Sequence, residues 1–118
     1  MAAGKRIYMV ADKIRALVAA QLQRVADPRL SMVTITSVVP SPDLRQAKVY
    51  WVAAGDDDRK QEISDAFDAA KGFFKKGLAS NLGLRFVPDL LFFYDDTLDT
   101  VQQVDSLFEK IKQKREAE

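Results

Sequence analysis

From Arg6 to about Val25 the apolar residues Ile7, Val10, Ile14, Val18, Leu22 and Val25 return at helical spacing and form one stripe. Asp27-Pro28 closes this predicted helix, because the residue before a proline is driven out of the helical region. The run MVTITSVVP, residues 32–40, then changes period: Val33 and Ile35 alternate with Thr34 and Thr36, as in a half-buried strand. Pro42 and Asp43 supply a turn. A second alternating run, AKVYWV at 47–52, sets Ala47, Val49 and Trp51 against Lys48, Tyr50 and Val52, and the two runs are expected to pair antiparallel. Alternation alone leaves open which of Tyr50 and Trp51 points inward.

The helical period returns from about Lys60 to Leu82, with Ile63, Phe67, Ala70, Phe74 and Leu78 on a core-facing stripe and Gly83 as the stop. The aspartates of AAGDDDR, 53–59, suit the positive end of that helix. Residues 85–94 contain Pro88, expected at a strand entry, and the apolar run DLLFFY, which reads as a strand buried on both sides or central in the sheet. Asp95, Asp96 and Thr97 fit a turn and helix cap, and Leu98, Val101, Val104, Phe108 and Ile111 mark a last helix. The economical architecture is α+β, a three-stranded sheet with helices on one face.

Length and charge narrow the function. A chain of 118 residues makes one domain with an ordinary core. With no cysteine and no histidine it has neither disulfide nor Cys-based zinc site, and it lacks the usual general base near neutral pH. Carboxylates, lysine, tyrosine or serine would have to carry any catalysis. No stretch reaches the roughly 20 apolar residues of a membrane span, and the N-terminus lacks a signal-peptide core, so an intracellular, cytoplasmic protein is expected. The net charge of +1 conceals a segregation. Residues 1–24 hold five basic side chains against one acid, residues 59–85 six against three, and residues 86–109 six acids and no base.

The candidate chemistry lies in the basic groups. GFFKKGLA, 72–79, has two glycines five apart, but Leu78 and Ala79 stand where a P-loop needs lysine and then serine or threonine. Asp95-Asp96 is a turn and cap before it is a cation site, and Phe92, Phe93 and Tyr94 suit a core strand as well as a base-stacking platform. Arg6, Lys13 and Arg24 align on an ideal helix within about 20° beside the apolar stripe. Lys71 and Lys75 are i, i+4 neighbours with Lys76 beside them, placed to meet a phosphate backbone. Gly72 and Gly77 interrupt the same helix, each costing about 1 kcal/mol against alanine. Gly72 is expected to permit a bend, and Gly77 to pack closely against the sheet.

Asp27-Pro28-Arg29-Leu30, Ala47-Lys48-Val49-Tyr50, Ala70-Lys71-Gly72 and Val87-Pro88-Asp89-Leu90 leading into Phe92-Phe93-Tyr94-Asp95 occur in an order and spacing that resembles the bacterial ribosome-binding factor A family over roughly residues 6–110. The resemblance implies a type II KH-like domain: helix, strand, strand, kinked helix, strand and a C-terminal helix. In it an Ala-x-Gly kink, here Ala70 and Gly72, stands where other KH domains clamp nucleic acid with a GxxG loop. It also implies a non-enzymatic assembly factor, without cofactor or metal, that binds the small (30S) ribosomal subunit and its 16S ribosomal RNA. Such a factor assists late maturation, including 5′-end processing of the RNA precursor. The expected organisation is a flexible N-terminus at 1–5, one KH-like RNA-binding domain at 6–112 and a mobile tail at 113–118, as a monomer. Expected RNA contacts are Arg6, Lys13, Arg24, Arg29, Lys48, Lys71, Lys75 and Lys76. Trp51 departs from the smaller apolar residue expected in its strand, and the C-terminal extension is short. A protein-interaction module using the acidic last helix is the alternative.

Overall fold

The computed structural model describes residues 2–83, 86–97 and 111, with the side chains of 2–5 left aside. Helix α1, Ala2–Leu22, starts four residues before the predicted Arg6 and ends short of Val25. Its stripe is as periodicity requires: Val10, Ile14, Val18 and Leu22 are buried, while Ile7 and Val25 lie at the margins. Asp27 then caps a single 3-10 turn, η1, Pro28–Leu30, by accepting the Arg29 backbone N–H.

Strands β1, Thr34–Pro40, and β2, Gln46–Val52, pair antiparallel, with a register shift between Ile35 and Ser37 that leaves Thr36 in a bulge. Helix α2, Asp57–Asn81, follows, with Asp56 as its N-cap accepting from Arg59 N–H and Asp57 and Asp58 in its first turn. It returns the chain to β3, Asp89–Tyr94, which lies parallel to β2, Ala47 opposite Leu90 and Val49 opposite Phe92. The sheet order is β1-β2-β3. DLLFFY is therefore an edge strand rather than a central one, and it is buried on one face only: Leu90 and Phe92 point inward, while Leu91 is half-buried and Phe93 is exposed. Pro88 sits buried just before the strand, where a missing N–H is harmless. The predicted last helix falls, apart from Ile111, outside the described residues.

Both helices cover the same face of the sheet, α1 over β1 and α2 over β3. That face carries Ala47, Val49 and Trp51, so Trp51 points inward and Tyr50 outward. The departure at Trp51 is absorbed by an aromatic core: its ring lies 5.7 Å from Phe67 and 5.3 Å from Tyr94, and Phe67 stacks on Phe92 at 4.5 Å. Each fully buried phenylalanine there stabilises the fold by roughly 1.5–3 kcal/mol. The larger ring has a cost as well, because Trp51 Nε1 is buried without an acceptor.

Candidate nucleic-acid interface

The eight expected basic contacts fall into distinct groups. Arg24, just past the end of α1, and Lys76, on α2, line one open groove of about 500 Å³ between the two helices. The preceding residue on α2, Lys75, is paired with Asp89 at the start of β3 at 2.5 Å. The hydrogen bond from Lys75, its charge and the more distant charge of Lys71 hold the Asp89 carboxyl below the usual aspartate range. Lys71 and Lys75 thus flank an acid that they partly neutralise, and Lys76 projects from the helix with no such tie among the described residues.

The remaining four stand apart. Lys13 Nζ reaches the Leu82 carbonyl, 3.4 Å away, and so answers the negative end of α2. Arg29 folds back on Asp27 through Nε and Nη2, the latter at 2.8 Å; the pair lowers the Asp27 pKa and raises that of Arg29. Arg6 is 18 residues before Arg24, a rise of about 27 Å along an ideal helix, although both are exposed. Lys48 alternates with Ala47 and Val49 and is exposed on the sheet face opposite the helices. Only Arg24 and Lys76, and separately Lys71 and Lys75, are brought together.

Ala70, Lys71 and Gly72 lie within an uninterrupted α2, and Gly72 is exposed with open space where a Cβ would stand. Gly77 has the opposite surroundings. A Cβ there would fall 1.4 Å from Gln21 Nε2 of α1, so the close approach is to the first helix and not to the sheet, as the sequence had suggested. Asp95 serves structure: it accepts from the Thr36 hydroxyl at 2.6 Å and from the Thr97 N–H at 3.0 Å.

Two groove residues were not among those expected. Gln21 is buried on a helix whose other buried positions are apolar, and its Oε1 accepts no hydrogen bond. Phe73 is 47 % exposed and makes a T-shaped contact with Phe74. A wheel signal for Phe73 existed, since it lies about 100° from Phe74 and off the core stripe. Nothing local marked Gln21, because what distinguishes it is a glycine 56 residues away.

The model of a family described as ribosome-binding factor A matches residues 6–108. A ribosome-binding factor A of Desulfatibacillum aliphaticivorans is 40 % identical over 103 residues, 86 % of this chain and 84 % of that protein. The crystal structure of ribosome-binding factor A from Thermus thermophilus superposes with a TM-score of 0.69 at 24 % identity, covering 75 % of this chain and 93 % of the other, and shares the fold. Also similar, at TM-score 0.61 and 25 % identity over 72 % of this chain and 90 % of the other, is a homology model of the Thermus thermophilus factor fitted into a cryo-EM map of its complex with the 30S subunit. By its matched length and its identities, the chain belongs to the ribosome-binding factor A family.

Proposed function

We propose that this chain is a ribosome assembly factor that binds the small ribosomal subunit through its 16S ribosomal RNA and assists late maturation, including processing of the precursor's 5′ end. Family membership supports this reading, as does the fitting of a similar protein into a 30S complex. The observation that carries it to particular residues is the meeting of Arg24 and Lys76 at one groove, with Lys71 and Lys75 forming a second basic pair on α2 beside Asp89. Cations so placed neutralise successive phosphates without reading sequence. The factor acts as a monomer in the cytoplasm by binding alone, without cofactor, metal or catalysed step. Its single KH-like domain bends at Ala70 and Gly72 as α2 meets the RNA, and Arg6, Lys13, Arg29 and Lys48 contribute at the periphery.

Gradient sedimentation tests the proposal. The chain should migrate with free small subunits, and Lys71→Glu, Lys75→Glu and Lys76→Glu together should weaken that association and reduce its salt dependence by about one unit of log–log slope per lost phosphate contact. Unchanged co-sedimentation of the triple variant would remove the helical surface from the interface. Migration of the natural chain with no ribosomal particle would overturn the function.

A further inference from the structure

The groove between α1 and α2 holds an inconsistency that the fold alone does not resolve. Gly77 opens α2 so that the Gln21 amide lies against it, yet the amide oxygen placed there has no partner. A buried acceptor left unmade is expensive, and the neighbouring donors do not relieve it: Asn81 Nδ2 is turned onto the Gly77 carbonyl at 2.9 Å and Ser80 Oγ onto the Lys76 carbonyl. Gln21 is 9 % exposed, at the floor of a groove whose volume of about 500 Å³ is ordinary for a small-ligand site.

The rest of the lining states what should enter. Phe73 brings a half-exposed aromatic ring to the lining, and Arg24 and Lys76 add positive charge to the same groove. An aromatic face suits a planar base, a carboxamide supplies the donor and acceptor that a base edge needs, and flanking cations suit the adjoining phosphates. An acidic peptide could meet the cations, but family membership and the small-subunit reading favour RNA as the occupant.

We propose that this groove receives one unstacked base of the RNA, stacked on Phe73 and hydrogen-bonded by Gln21, with neighbouring phosphates on Arg24 and Lys76. The proposal rests on the small-subunit reading above and adds a pocket to an interface otherwise made of charge. It separates the two kinds of contact, because stacking on Phe73 is insensitive to salt whereas the cations are not.

The test is the affinity of the full chain for purified small subunits across a salt series. Gln21→Met keeps the length and the unbranched stem but removes the amide, Phe73→Ala removes the ring, and Tyr8→Ala removes an exposed aromatic elsewhere on α1. Each groove variant should bind on the order of ten-fold more weakly at every salt concentration, with the slope of the natural chain, as expected for loss of a base-stacking contact. Tyr8→Ala should stay within two-fold. Groove variants that also stay within two-fold overturn the base pocket while leaving the assembly-factor reading intact. Failure of the natural chain to bind subunits overturns both. An equal loss measured on subunit proteins freed of RNA by nuclease would assign the groove to a protein and overturn the base.

Discussion

The amide of Gln21 occupies the volume that a side chain at position 77 would fill: a Cβ on Gly77 would lie 1.4 Å from its Nε2 and 2.4 Å from its Cδ. The two residues are one packing unit joining α1 to α2, so their substitutions should be strongly non-additive. Gly77→Ala alone must expel a nine-tenths-buried amide, and it should destabilise the fold by about 1 kcal/mol despite the gain in helix propensity. In a Gln21→Ala background the same change meets open space and should stabilise by about 1 kcal/mol. Chemical denaturation of the four proteins of this cycle measures the coupling, and additive effects would show that the helices do not meet there.

Gly72, five residues earlier on the same helix, makes the opposite prediction. Apart from its chain neighbours and its own helix backbone, no atom lies within 4 Å of where its Cβ would be, and α2 continues through it. Gly72→Ala should therefore raise stability by about 0.5–1 kcal/mol, the ordinary propensity difference. If the glycine serves a bend made on the RNA, affinity for small subunits should fall while the unfolding midpoint rises. A lower midpoint would mean that the bend belongs to the free chain.

How far the sequence could be read follows from the range of each interaction. The stripes of α1 and α2 were legible because helical burial repeats within the element: Ile63, Phe67, Phe74 and Leu78 are all fully buried. The pairing of β1 with β2 was legible because a short turn joins them. The edge position of β3 was not, since Leu91 and Phe93 are as apolar as Leu90 and Phe92 and only the crossover through α2 decides which neighbour the strand takes. At the interface the basic residues could be named but not sorted. Arg29 is engaged by a neighbour two positions away, which the sequence displays, whereas Lys75 is engaged by Asp89 and Lys13 by the Leu82 carbonyl, 14 and 69 positions away.

Asp95 gives the fold a dependence on acid. Its backbone N–H continues the pairing of β3 with β2 by donating to the Trp51 carbonyl, while its carboxylate reaches past β2 to the Thr36 hydroxyl in the β1 bulge. That hydroxyl first, and then the side chain and backbone N–H of Thr97, hold the Asp95 carboxyl below its ordinary value. The native chain therefore binds this proton less readily than the unfolded chain does. The resulting stability is complete above the ordinary aspartate pKa of about 4 and is lost as pH falls through the lower native value. Thr36→Val keeps the shape and strand preference of the residue but removes the donor. Its unfolding temperature should lie below that of the natural chain at pH 6, and the gap should narrow as the pH is brought to 3. Thermal melts of both proteins across that range decide the matter: a gap independent of pH would show that the hydroxyl does not stabilise the carboxylate.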